Sequence, residues 1–303
     1  MRYGIIGTGA IGGYYGAKLA RDGQEVHFLF HRDYEYVCRH GLQVNSCNGS
    51  FHLDSVNAYQ HAADMPSCDV VFVALKSTNE TLLQTLLPPL LHDHTLVVLI
   101  QNGIGLEADV QQMFPHVALA AGLAFICTAK TEPGLVDHQD YGSINIGNYS
   151  CPDAQLVSTL IAELKHAGIP AAEVEYQEAR WRKAVWNMPF NGMTVALDTQ
   201  TDQLLSHPDT SKLCYELMRE VIEAAQACGV KSLTMEFADK MMANTRVMKP
   251  YSPSMKLDYD FRRPMEIYYL YTRPIEEARK AGYEMKKLEM LEAELKFKQA
   301  QYL

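Results

Sequence analysis

Long apolar runs are missing from this 303-residue chain. None approaches the roughly 18 consecutive apolar residues that a bilayer-spanning helix needs, so no membrane span is expected. Positive charge is also scarce: 27 Lys and Arg stand against 36 Asp and Glu, a formal net charge of −9. That balance leaves no basic footprint for nucleic acid and no polybasic patch for anionic lipid. A local cationic cluster could still meet an anionic small molecule. Cysteine pairs at C-x-x-C spacing are absent as well. The seven cysteines (Cys38, Cys47, Cys68, Cys127, Cys151, Cys214 and Cys228) are odd in number. They argue against a disulfide framework or a structural zinc, and no metal is expected. Idle thiols fit a reducing compartment, and no signal-peptide pattern precedes Tyr3. The cytoplasm is the expected location.

What is present is ordinary for a globular chain, 48% hydrophobic and 21% charged, with length for two domains. The stretch Met1 to Gly16 reads MRYGIIGTGAIGGYYG: a short apolar run, then Gly7, Gly9 and Gly12 in G-x-G-x-x-G spacing. Helix-compatible residues follow to Arg21. Strand, glycine turn and helix start in that order suit a dinucleotide. Gly7 serves the tight turn, Gly9 the approach of a pyrophosphate, and Gly12 close helix–strand packing. The helix N-terminus, with Thr8, Ala10 and Ile11 in the turn, then faces the phosphates. The alternative is an ordinary tight βα turn.

Strand-like and helix-like segments alternate to about residue 169. Strands are expected at Val26 to Phe30, Val70 to Leu75, Thr95 to Ile100 and Leu119 to Cys127, with weaker ones at Leu135 to His138 and Ser143 to Ile146. Gly41 to Tyr59 reads as a hairpin turning at Asn48-Gly49. Helices are expected at Asn79 to Leu91 and Asp153 to His166. This alternation predicts a doubly wound, mostly parallel sheet over 1–169. From 170 to 303 apolar residues recur at helical spacing, and an all-helical domain is expected. Its helices read Glu178 to Leu197, Asp209 to Cys228, Leu233 to Asn244, Met265 to Lys280 and Lys286 to Ala300.

In such sheets ligands sit beyond the carboxyl ends of the strands, which draws attention to His31-Arg32, Lys76 and Asn102. The second strand ends in His31-Arg32, and no acid occurs there before Asp33. A cation at that point suits the 2′-phosphate of NADP, whereas an acid would suit NAD. Arg32 could instead be a surface residue paired with Asp33 or Glu35. Lys76 could add a second cation, or be simply solvated.

The segment Arg180 to Leu197 reads RWRKAVWNMPFNGMTVAL. Lys183, Asn187 and Asn191 lie at i, i+4 and i+8, one stripe of a helix that Pro189 should bend. An exposed polar stripe is the plain reading. Two asparagines beside apolar neighbours are poor helix formers, and a bound keto acid would explain them. Lys183 would then donate to the developing alkoxide while the amides orient the substrate. Ser254 and Glu266 by themselves read as a helix cap and a first-turn acid.

Taken in order, GTGAIGG, HRDYE, LKS at Leu75 to Ser77, QNG at Gln101 to Gly103, the K-x-x-x-N-x-x-x-N stripe, and Ser254-Met255 with Asp258, Arg263 and Glu266 resemble the ketopantoate reductase family. The resemblance implies a Rossmann-type domain, a helical domain, and NADPH-dependent reduction of 2-dehydropantoate to pantoate in pantothenate biosynthesis. It implies Lys183 as general acid with Glu266 also catalytic. It implies Asn102, Asn187, Asn191 and Ser254 at the substrate, and Asn102 and Lys76 at the cofactor. The chain differs from the family pattern at His31, Thr201, Tyr251, Met265 and Tyr268. These differences motivate two alternatives: a reductase of another branched 2-keto acid, or a non-catalytic NADP-binding sensor. A homodimer is allowed by the sequence and not required by it.

Overall fold

The computed structural model describes residues 1–303. Two compact units emerge, one of Met1–Gln101 with Leu106–Tyr176, the other of Asn102–Gly105 with Gln177–Leu303. No helix is long and apolar enough to cross a membrane.

The first unit runs β1 (Arg2–Ile6), α1 (Ala10–Arg21), β2 (Glu25–Leu29), α2 (Tyr34–His40), β3 (Leu42–Ser46), β4 (Phe51–Leu53), β5 (Asn57–Tyr59) and β6 (Val70–Val73). It continues with α3 (Leu83–Leu86), β7 (Leu96–Leu99), α4 (Leu106–Met113), β8 (Ala118–Glu132), β9 (Leu135–Asn148), α5 (Ala154–His166) and β10 (Ala171–Val174). One ten-stranded sheet results, ordered β4-β3-β9-β8-β7-β6-β1-β2-β5, with β10 on β9. Strands β1, β2, β6, β7 and β8 pair in parallel, and β6 and β7 are buried at every position. Such runs, apolar on both faces, are what a sheet covered on both sides requires. The strand order reverses between β1 and β6, the switch point at which open α/β sheets bind ligands.

The expected hairpin after Gly41 forms as β3 against β4, with Gly49 at φ +105° in the turn. Three expectations are corrected. Asn79 to Leu91 is a set of short turns around α3, because Pro88 and Pro89 cannot donate to a continuing helix. The stretches read as three strands between Leu119 and Ile146 are one long antiparallel hairpin, β8 with β9, turning at Gly134 with φ +67°. Register shifts along it break the alternation that a sequence scan relies on. The strand β10 was not expected; four residues joining a sheet edge leave little periodic signal.

The second unit is helical: α6 (Tyr176–Ala196), α7 (Thr201–Ser206), α8 (Pro208–Ala227), α9 (Met235–Val247), α10 (Ser254–Asp260), α11 (Arg273–Lys280) and α12 (Lys286–Gln299). The short helices α7 and α10 were not expected. A π turn, Tyr268–Thr272, leads into α11. The core gathers Trp181, Val185, Met188 and Phe190 of α6 with Leu217, Val221, Tyr271 and Leu288. Helix α8 also carries buried Glu220, whose carboxylate accepts the N–H groups of Lys287 (3.1 Å) and Leu288 (2.8 Å) and so caps α12.

Candidate functional site

The glycine turn has the form its spacing predicts. Gly7 adopts φ +93°, and a Cβ there would lie 2.6 Å from the Leu75 nitrogen in the loop after β6. A Cβ on Gly12 would meet the Gly7 carbonyl oxygen at 2.4 Å. At Gly9 the space a Cβ would occupy is open, with nothing within 4 Å. Gly9 precedes α1, whose first turn, Ala10 to Gly12, has N–H groups with no intrahelical acceptor. An open cradle over a bare helix N-terminus fits a pyrophosphate, and with it a dinucleotide. Thr8 is buried, its hydroxyl donating to the Leu29 carbonyl at 2.9 Å, so the turn is pinned to the end of β2.

At that end His31 and Arg32 are exposed. Neither acid proposed as a partner for Arg32 is given to it. Glu35 pairs with Arg39 at 3.2 Å, and Asp33 pairs with Lys130. Lys130 also donates to the Thr8 carbonyl at 2.9 Å, and Gly134 N–H donates to Asp33 Oδ2 at 3.1 Å. Local spacing does not single out Lys130, because its place depends on the long-range pairing of β8 with β9. Lys76 is exposed in the loop that packs against Gly7.

In the second unit, Pro189 inside α6 withdraws an N–H from the helix ladder, and side chains take up neighbouring carbonyls. Asn191 Nδ2 donates to the Asn187 carbonyl at 2.9 Å, and the Tyr271 hydroxyl donates to the Met188 carbonyl at 2.6 Å. Asn191, 2% exposed, also accepts the Met255 N–H at 3.1 Å. Its amide thereby holds the first turn of α10, where Ser254 sits half-buried, against α6. Asn102 belongs to the same unit. The following Gly103, at φ +122°, is pressed on Tyr269, where a Cβ would lie 2.5 Å from the Tyr269 carbonyl oxygen. Ile104 N–H donates to that carbonyl at 3.0 Å.

Gly103, Ile104, Arg180, Lys183, Ala184, Asn187, Tyr269, Leu270 and Pro274 line a cavity of about 10 Å³, room for one water. Lys183 and Asn187 therefore share a wall, one turn apart. Burial pushes the Lys183 amine down to about 7; the nearby Arg180 cation adds to the fall, and Glu266 opposes it. Glu266 is buried, just ahead of the π turn. Arg180 was missed in the sequence, although it lies three residues before Lys183 and so on the same helix face.

Two family descriptions match: ketopantoate reductase PanE/ApbA over residues 3–150, and its C-terminal counterpart over residues 175–299. A curated 2-dehydropantoate 2-reductase of Nostoc sp. is 41% identical over 302 residues, 98% of this chain and 94% of the relative. The crystal structure of 2-dehydropantoate 2-reductase from Geobacter metallireducens superposes with a TM-score of 0.94 at 35% identity, covering 98% of this chain and 99% of that one. The enzyme of the same name from Methylococcus capsulatus gives 0.90 at 32% identity, covering 100% and 98%. With a glycine cradle for a dinucleotide, a half-buried lysine beside an amide, and relatives matched over nearly their whole lengths, the chain belongs to the ketopantoate reductase family of oxidoreductases.

Proposed function

We propose that this protein reduces 2-dehydropantoate to pantoate with NADPH, and that Lys183 is the general acid. The observation that carries this reading is Lys183 itself: a lysine in a cavity wall beside Asn187, its amine brought to about 7. At that value it carries a proton near neutral pH and yields it readily, as a group donating to a developing alkoxide must. Gly7 to Gly12 would hold the pyrophosphate of NADPH, with His31, Arg32 and Lys76 as candidate partners for its phosphates, and the bound cofactor would supply the hydride. As the carbonyl carbon is reduced, Lys183 gives its ammonium proton to the oxygen, and the neutral amine is reprotonated from solvent.

Asn102, Asn187 and Ser254 orient the keto acid by hydrogen bonds, and Asn191 sets where Ser254 stands. Glu266 favours the protonated lysine and so keeps a supply of the acid form. Seven free cysteines support a reducing compartment, the cytoplasm, for the protein. A homodimer formed through the helical unit is also part of the proposal.

NADPH oxidation followed at 340 nm, with 2-dehydropantoate and a panel of branched 2-keto acids, tests the proposal. The expected result is 2-dehydropantoate as the best substrate and a loss on the order of 10²- to 10⁴-fold in Lys183→Ala. Undiminished turnover in Lys183→Ala would remove the lysine from the mechanism. A better substrate in the panel would move the activity to another keto acid, and no turnover at all would favour a sensor.

A further inference from the structure

Asp33 is the first carboxylate after β2, four residues beyond Leu29. An acid at the end of β2 accepts from a free ribose hydroxyl and repels a 2′-phosphate. In this chain that carboxylate is already engaged. Its Oδ2 takes the Gly134 N–H at 3.1 Å and the Lys130 ammonium, and only 13% of the side chain is exposed. Both partners come from the β8–β9 hairpin. Lys130 is fixed at its other contacts, donating to the Thr8 carbonyl at 2.9 Å and lying 5.7 Å from the centre of the Phe30 ring. His31 and Arg32, which immediately precede Asp33, are exposed, and Glu35 is occupied by Arg39.

We infer that Lys130 is a positioning residue for cofactor choice: it neutralises Asp33 and holds it on the hairpin, so that the end of β2 receives a phosphorylated ribose. The inference rests on the proposed use of NADPH. It assigns the selectivity to a charge pair more than ninety residues apart in sequence, in addition to the cations of the strand end. Lys130 acts through Asp33 and through the glycine turn, and no contact with the dinucleotide is required of it.

The experiment measures NADPH and NADH dissociation constants by calorimetry, without turnover, for the wild-type chain, Lys130→Met, Lys130→Arg, Asp33→Asn and the double variant Lys130→Met/Asp33→Asn. Loss of Lys130 would leave the Asp33 carboxylate without its cation close to the end of β2, where it would repel a phosphorylated ribose. NADPH binding should weaken by about tenfold or more while NADH stays within about twofold. The double variant should recover the wild-type ratio, and Lys130→Arg should keep it. Asp33→Asn retains the lysine on Thr8 and covers the case in which Lys130→Met folds poorly; its NADPH affinity should equal or exceed that of the wild type. Equal weakening of both dinucleotides in Lys130→Met, or no recovery in the double variant, would reduce Lys130 to a structural anchor of the turn and overturn the inference alone. A tenfold loss of NADPH preference in Asp33→Asn would overturn it too. A wild-type chain that binds neither dinucleotide overturns the NADPH reading and the inference together.

Discussion

Replacing Lys183 by methionine should make the protein more stable while removing its activity. In an unfolded chain this amine carries its proton up to about pH 10.5; in the fold it does so only below about 7. The folded state therefore binds fewer protons throughout that interval. Stability contributed at this position rises with pH from about 7 to about 10.5, and the penalty is complete below about 7. At about 1.4 kcal/mol for each tenfold change in proton affinity, the ceiling on that penalty is about 5 kcal/mol. Local relaxation and solvent around a side chain that is not fully covered reduce it, and a gain of about 2 kcal/mol at pH 6 is the working expectation for the apolar isostere. The chain's two tryptophans, Trp181 and Trp186, both lie on α6 and flank Lys183, so their fluorescence reports on this unit. Urea titrations between pH 6 and pH 10 should show Lys183→Met ahead of wild type at low pH, with the gap narrowing as pH rises. A gap that is absent, or that widens with pH, would refute the claim that the fold disfavours the charged amine. It would also remove the ground for treating Lys183 as a tuned acid.

The same tuning should appear in turnover. The rate of keto-acid reduction should fall as pH rises through about 7, and in Glu266→Gln the fall should move to lower pH, because the carboxylate that favours the protonated amine is gone; an unmoved profile would assign Glu266 another task. In the glycine turn, Gly9→Ala should leave the melting temperature within about 1 °C of wild type while weakening NADPH binding, since its Cβ has room only in the free protein. Gly12→Ala should lose several degrees, about 1–3 kcal/mol of overpacking against the Gly7 carbonyl, and a melting temperature equal to wild type would show that the turn yields. Asn191→Ala should cost about 1–3 kcal/mol and raise KM for the keto acid with NADPH affinity unchanged, read by denaturation and steady-state kinetics.

What could be read from the residues was whatever is carried by local spacing. Gly7, Gly9 and Gly12 announce a turn because each answers a local steric demand, and the alternation of apolar runs announces the sheet. The lysine and two asparagines of α6 were legible as a stripe for the same reason. Long-range pairing was not legible. Lys130 reads as an unremarked cation in a strand until the β8–β9 hairpin carries it to Thr8 and Asp33. The double use of Asn191, on the Asn187 carbonyl and the Met255 N–H, depends on helix α10, 64 residues away. Glu220, which caps α12 from within α8, is equally silent in the sequence. In each case the decisive partner is supplied by topology.

The assignment of Asn102–Gly105 to the helical unit has a practical consequence for recombination within the family. The chain passes from one unit to the other at Gln101, returns at Leu106, and leaves for good after Tyr176. A chimaera joined at a single point near residue 176 would graft a foreign helical half onto a Gln101-Asn102-Gly103 loop shaped for Tyr269, where Gly103 has no space to spare. The transferable module is therefore discontinuous, four residues plus the C-terminal segment. Substrate preference should travel between relatives only when both pieces are exchanged together.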